Sequence, residues 1–341
     1  MGSRSLGQHT GRRLVVGLAA AALAAGALVP TVVAADTSVV WQAAVGASSK
    51  DEAVQVNAFL PRDITVDAGD TLQWNLRSGE FHTVTFLSGG TPPPLIIAPG
   101  GVPQINPVAA APAGGNTYDG TGFVNSGLLA APGATFSLQF TKAGSYPFLC
   151  LIHAGMAGVV HVQDAGAAYP KTQAQYDNEA LVGGNHLTAS GRTLEARTLA
   201  GARSSGAGTA VVGTGVAVDA GSLAVMRFLP GKLVIHAGQS VTWTNHDPET
   251  PHTITFGQEP GGGDPLGAFF PSGQGIDGQG PFGAGHATLT SPDETANSGF
   301  LGAGPLFGTK FTATFSAPGT YHFICALHDT LGMKGTIVVL P

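Results

Sequence analysis

The chain says much of itself twice. FLPRDITVDAGDTLQW, from Phe59, is matched by FLPGKLVIHAGQSVTW, from Phe228. FHTVTF from Phe81 is matched by PHTITF from Pro251, and VNSGLL from Val124 by ANSGFL from Ala296. FTKAGSYPFLC, ending at Cys150, is matched by FSAPGTYHFIC, ending at Cys325. Four blocks in the same order restrict the fold to two copies of one domain, since a repeat this long is a duplicated domain and not a solenoid unit. A length of 341 residues has room for two domains of ordinary size.

Each block reads as strand. Ile64, Val66, Leu72 and Trp74 alternate around the turn Ala68-Gly69-Asp70, and Val234, Val241 and Trp243 do the same in the second copy. Val159, Val160 and Val162 close the first copy; Thr336 to Leu340 closes the second. With 51 Gly, 23 Pro and few charges, long helices are disfavoured and short strands joined by turns are favoured. The expected fold is all-β: two tandem Greek-key β-sandwich domains over residues 36–165 and 208–341. Gly/Pro-rich segments over residues 88–122 and 257–294 are expected as long loops at one end of each sandwich. Residues 166–207 are expected as a linker with a short helix over Lys171 to Ala180 and a flexible stretch over Gly201 to Gly208.

The first 35 residues read as a targeting segment. Arg4, Arg12 and Arg13 precede an apolar, Ala-rich run from Leu14 to Val29, and Val33-Ala34-Ala35 offers small residues for cleavage before Asp36. The apolar run is short for a membrane span, so an uncleaved anchor is the lesser reading. GRRLVV loosely fits a twin-arginine signal, although paired arginines also occur in ordinary signal peptides. The expectation is an exported protein, periplasmic or extracellular, with no stable membrane span after cleavage. The formal charge is −6, and loss of the three leading arginines makes the remainder more acidic. Such a chain lacks the basic footprint of a nucleic-acid binder.

The two cysteines carry the chemistry. FLCLIHAGM places Cys150, His153 and Met156 in one loop, and FICALHDTLGM places Cys325, His328 and Met333 in another. A Cys150–Cys325 disulfide is conceivable in an exported protein, but it leaves the following His and Met unexplained. A metal explains them. Thiolate is a soft ligand, imidazole suits copper, and a thioether is a weak axial donor; two His, one Cys and one distant Met make a blue-copper electron-transfer site. The second imidazole of each site is expected from His82 and His252, which occupy equivalent places in the FHTVTF and PHTITF blocks.

These features together resemble the cupredoxins of the plastocyanin type. The resemblance rests on the AGD and AGQ turns followed by Trp, the His-Thr blocks, the strands ending in Cys and the Cys-His-Met loops, and it spans nearly all of residues 36–341 outside the linker. The second loop, Cys-x2-His-x4-Met, has the spacing of plastocyanin, and the first, Cys-x2-His-x2-Met, is closer to amicyanin. The resemblance implies two type-1 copper ions, one per domain, of unequal reduction potential. It also implies one-electron transfer with a redox protein such as a cytochrome. It further implies that the loop histidines reach toward solvent through apolar patches, His153 beside Leu151, Ala154 and Ala157, and His328 beside Leu327 and Leu331.

Oxidases and nitrite reductases built from the same domains are the rival class. A trinuclear cluster needs His-x-His pairs, which are absent, and the cysteines are flanked by Leu149, Leu151, Ile324 and Ala326 instead of His. A single additional copper between the domains, held by His236, His246 or His322, stays open as an alternative, as does a copper-storage module. His9, His161, His186 and His286 read as non-ligands, GQGIDG from Gly273 as a chance match to a dinucleotide motif, and Asp247 and Glu249 as solvated turns.

Overall fold

The computed structural model describes residues 38–101, 104–263, 265–273, 275–277, 285–302 and 307–341. The expected targeting segment and cleavage site, and part of the Gly273 motif, lie outside the described residues.

Alternation builds most of the strands. In Thr71–Leu76 the side chains of Leu72, Trp74 and Leu76 are buried, while Thr71, Gln73 and Asn75 are half-exposed. Ser240–His246, Lys310–Phe315 and Lys334–Leu340 show the same period of two. Each copy folds these strands into two facing sheets. In the first, Val40–Ser48 pairs in parallel with Thr71–Leu76, and the opposite sheet is ordered Asp63–Asp67, Ala157–Gln163, Gly144–Leu149, Thr85–Phe86, Val124–Ser126 and Pro112–Ala113. The second copy repeats the plan from Lys232–His236 through Lys334–Leu340 to Pro271–Gly273. Between the sheets, Trp74 lies 5.3 Å from Phe148, and Trp243 lies 5.3 Å from Phe323, centroid to centroid.

Two long strands are buried almost throughout, and they join the copies. Val54–Leu60 is buried at every position and Gly221–Leu229 at all but Arg227. They pair antiparallel, with Ser222 opposite Asn57, Leu223 opposite Val56, Ala224 opposite Gln55 and Val225 opposite Val54. One sheet of each copy is thereby fused into a sheet of 11 strands among the described residues. Asn57 Nδ2 donates to Ser222 Oγ across the seam at 3.2 Å. Asp36–Pro341 forms one compact unit in which the two copies share this sheet.

The expected linker is mostly a helix. It runs for 32 residues, Gln173–Ser204, well beyond the short helix expected over Lys171 to Ala180, and it continues through Gly201. Thr172 and Gln175 form a capping box at its start. It lies on the fused sheet, contributing Ala180 and Leu187 to one apolar cluster with Val56 and Leu223, and Ala202 and Leu194 to another with Val211 and Val225. Glycine argues against a helix in the sequence, yet Gly191 is what lets it approach. A Cβ on Gly191 would lie 2.3 Å from Val54 Cγ1. The segments 88–122 and 257–294 also hold more structure than bare loops, with short strands such as Ile96–Ile97 and His286–Leu289.

The repeated Asn-Ser-Gly block anchors these segments. Asn125 Oδ1 accepts from Thr85 Oγ1, and its Nδ2 donates to the carbonyls of Ala109 and Ala111. Asn297 makes the equivalent bonds to Thr255, Ala268 and Phe270. Buried amides are kept because every one of these bonds is satisfied.

Candidate metal centres

His82 and His252 are fixed first by backbone. Each pairs with a residue just beyond the Asn-Ser-Gly block, His82 with Leu129 and His252 with Leu301. The following threonine reaches the cysteine. Thr83 N–H donates to Cys150 Sγ at 3.4 Å, and Thr83 Oγ1 accepts from Leu151 N–H at 2.8 Å. Thr253 does the same for Cys325 at 3.3 Å and Ala326 at 2.8 Å. The Thr after each repeated His thus ties the start of the neighbouring strand in the same sheet to the end of the cysteine strand.

The loop then turns back on itself. Cys150 N–H donates to Met156 O, and Met156 N–H to His153 O. In the second half Cys325 N–H donates to Met333 O, and the two additional residues are taken up by a 3-10 turn, Asp329–Leu331, and by Gly332 at φ 82°. Met156 and Met333 are buried in the same apolar clusters as Cys150 and Cys325. The two cysteines are free thiols, so the disulfide reading is set aside.

The ligand atoms converge. In the first half Sγ of Cys150 lies 3.9 Å from Nδ1 of His82 and 3.8 Å from Nδ1 of His153, and the two nitrogens are 3.2 Å apart. In the second half the corresponding distances are 3.8, 3.4 and 3.1 Å. A point equidistant from the three atoms of either triangle lies about 2 Å from each, the bond length of a first-row metal to imidazole or thiolate. Soft sulfur and imidazole nitrogen at that spacing fit copper. Among the described residues these two triads are the groups of three or more His, Cys, Asp or Glu able to share an ion. His236, His246 and His322 are exposed and form no such group, so the structure lends nothing to an additional copper between the halves.

The electrostatics suit a metal. Burial pushes the Cys150 thiol up, but hydrogen bonds to His153 and His82 outweigh it, and the group sits well below its ordinary value. Cys325 is likewise pulled well below, burial being outweighed by the charge of His328 and by bonds to His252 and His328. A thiolate at neutral pH is the metal-binding form.

Two glycines that the sequence reading missed hold the first histidines. Gly46 (φ 69°) and Gly213 (φ 72°) lie where the pairing of their strands shifts register, in equivalent places of the two halves. A Cβ on Gly213 would lie 2.1 Å from His252 Nε2. On Gly46 it would lie 2.4 Å from Ser78 Oγ and 3.1 Å from His82 Nε2. A repeated Val-Gly, at Val45-Gly46 and Val212-Gly213, is the signal for them, but two residues are too short to stand out.

The loop histidines overturn an expectation. His153 is 3% exposed and His328 6%, so neither reaches solvent through an apolar patch. The fused sheet turns both loops inward. The carboxylate of Glu80 lies between them, Oε2 at 4.0 Å from His153 Nε2 and Oε1 at 3.5 Å from His328 Nε2. Burial alone would raise Glu80; His328 and the other two rings bring it down to about 2. His328 is raised well above its ordinary value, burial being outweighed by Glu80 and Cys325. Asp247, expected in a solvated turn, is buried and accepts from the N–H groups of Glu249 and Thr250, and Glu249 is half-buried.

The sequence profile of the family described as copper binding proteins, plastocyanin/azurin family, matches residues 45–163 and 214–340. A plastocyanin of Scenedesmus fuscus is 31% identical over 121 residues, covering 36% of this chain and 91% of that protein. A chloroplastic plastocyanin of Oryza sativa subsp. indica is 31% identical over 156 residues, covering 46% of this chain and 75% of that protein. Among solved structures, a mutant fern plastocyanin is 26% identical, covering 39% of this chain and 99% of its own, with a TM-score of 0.20. A mutant amicyanin in its Cu(I) form is 24% identical, covering 30% of this chain and 70% of its own, also at 0.20. No helix of the described residues is long and apolar enough to cross a membrane. With the family profile matched in both halves and a cysteine–histidine triad in each, the chain belongs to the plastocyanin/azurin family of copper-binding proteins.

Proposed function

We propose that this protein is an exported one-electron carrier with one type-1 copper in each half. The observation that carries this reading is the pair of buried triangles of one sulfur and two imidazole nitrogens, each with room for one ion. Cys150, His82 and His153 would hold the first ion, and Cys325, His252 and His328 the second, with Met156 and Met333, buried in the same clusters as the cysteines, as further thioether donors. Bound copper supplies a one-electron couple. The chain supplies a site whose strands are tied together before the metal arrives, so the ligands move little between the two oxidation states. Burial keeps water off the sulfur, and the backbone N–H groups on Sγ spread its charge. The Arg-led, apolar N-terminal segment supports export, and the acidic composition favours a basic partner such as a cytochrome.

The reading is tested by stopped-flow mixing of the reduced protein with an oxidised cytochrome of positive net charge. Bleached copper bands should return as the haem is reduced, in a second-order reaction that slows as salt is added. A copper-loaded protein that exchanges no electrons with any small redox protein is a storage module instead.

A further inference from the structure

We propose that the two halves exchange an electron within the molecule along His153, Glu80 and His328, the single carboxylate of Glu80 linking the outer edges of the two imidazoles. The inference rests on the function proposed above, since it needs an ion in both triangles.

Each loop histidine turns Nδ1 toward its own cysteine and Nε2 toward the carboxylate of Glu80, which belongs to the first half. One carboxylate spans the remaining gap, one oxygen at 4.0 Å from His153 and the other at 3.5 Å from His328. Tunnelling falls steeply with distance and runs better through bonded atoms than across gaps. Here the covalent path is interrupted by two gaps of 4.0 and 3.5 Å, and the three side chains on it are all buried.

The surroundings hold this path in place. Gly79 N–H donates to Gln55 Oε1 at 2.9 Å, and a Cβ on Gly79 would meet Leu331 Cδ2 at 2.5 Å, so the Glu80 turn lies directly on the second half's loop. Arg227 ties that loop back, donating to Leu331 O at 2.8 Å and to Asp51 O of the first half at 2.5 Å.

Glu80 has a counterpart in kind but not in place. Six residues after the repeated Trp stands Glu80 in the first half and Glu249 in the second, where one additional residue precedes the histidine. Glu249 is half-buried and acts on His153 through its charge, whereas Glu80 is buried and faces both loop histidines. Burying a carboxylate costs several kcal/mol unless it is matched by charge. It is matched here by both halves at once, which points to a role at the junction.

The step is balanced. The half that gives up one electron is oxidised by one unit, and the half that accepts it is reduced by one. No bond forms or breaks, and both Nε2–H protons stay on their rings. An electron received by either half is thus available to both.

The test uses the full two-copper protein, reduced by a pulse of a one-electron radical donor well below stoichiometry. Each centre is followed by its absorption band and by the EPR signal of freeze-quenched samples, assigned beforehand with Cys150→Ser and Cys325→Ser. The expected result is a first-order redistribution that is independent of protein concentration. Glu80→Ala, with both coppers retained, should slow it at least tenfold, and Glu80→Gln, which keeps the linking atoms, should slow it less. A separate readout is NMR of the fully reduced protein. The Nε2–H protons of His153 and His328 should exchange slowly with solvent, and at least tenfold faster in Glu80→Ala. A redistribution rate that Glu80→Ala leaves unchanged, or one that scales with protein concentration, overturns the proposal while leaving the carrier function intact. Failure to hold two coppers overturns that function and this inference with it. Should Glu80→Ala not fold, Glu80→Gln decides: unchanged rate and unchanged proton exchange together overturn the bridge.

Discussion

The two halves carry the same triangle of donors in different settings. In the first, Cys150 Sγ accepts two backbone N–H groups, from Thr83 and Ile152, and His82 Nε2 is bonded to Ser78 Oγ at 2.8 Å. In the second, Cys325 Sγ accepts one such bond among the described residues, from Thr253. His252 Nε2 is buried with no partner among them, and Pro248 stands where the first half has Ser78. Duplication preserved the donors and the threonine that positions them, while the surrounding bonds, which tune a metal, diverged.

The comparison is broken most severely by removing one sulfur. Cys325→Ser should abolish about half the visible absorption and one copper per chain, Cys150→Ser the other half, and the double variant all of it, as read by optical spectroscopy with metal analysis. Equal losses show two independent centres of one kind.

Next in size is the glycine behind each first histidine. Gly213→Ala places a methyl group against the His252 ring itself, whereas at Gly46 the nearest atom is the movable hydroxyl of Ser78. Both substitutions put a side chain at positive φ, a cost of about 1 kcal/mol. Gly213→Ala should therefore lower copper affinity in the second half on the order of 100-fold, and Gly46→Ala should lower it in the first by clearly less. Competitive chelator titration measures both.

A smaller effect separates the potentials. N–H groups on a thiolate withdraw charge and disfavour the oxidised metal, so the first half, with two, should titrate at the higher potential. The Ser78 bond opposes this by making the His82 ring a better donor, and Ser78→Ala should widen the gap. Spectroelectrochemistry should show two one-electron waves. A single midpoint for both centres contradicts the account of their surroundings.

The smallest effect is shared by both halves. The folded value of Glu80 is held at about 2, below its ordinary 4.5. Its stabilising contribution is therefore complete above pH about 4.5 and is lost as pH falls through about 2. In urea unfolding of the metal-free protein, the native chain should lose on the order of 2 kcal/mol more between pH 6 and pH 3 than Glu80→Gln does.

What could be read from the sequence followed from repetition. Cys150, His153, Cys325 and His328 recur at fixed spacing, and His82 and His252 stand in matching blocks; these are the side chains that the fold brings together. The alternation of Leu72 and Trp74, and of Val241 and Trp243, similarly exposed the sandwich. The junction could not be read this way. Val54–Leu60 and Gly221–Leu229 look like any apolar strand, and nothing local says that the two pair with each other. Glu80 and Glu249 stand at the same distance after the repeated Trp but at different distances before the histidine, so the repeat does not single Glu80 out. The helix Gln173–Ser204 is rich in glycine, which lowers intrinsic helicity, yet Gly191 is there because the sheet lies too close for a side chain. His153 and His328 read as surface residues from either half's sequence alone, which does not reveal the junction that buries them.

The central claim is that each half closes a sulfur and two imidazoles around one copper. Metal analysis of the purified, oxidised protein, combined with its visible spectrum, tests it most directly. The account predicts two coppers per chain and an intense sulfur-to-copper band shared between the halves. A protein that stays colourless when Cu(II) is added, or one that needs a third copper for its colour, would contradict it.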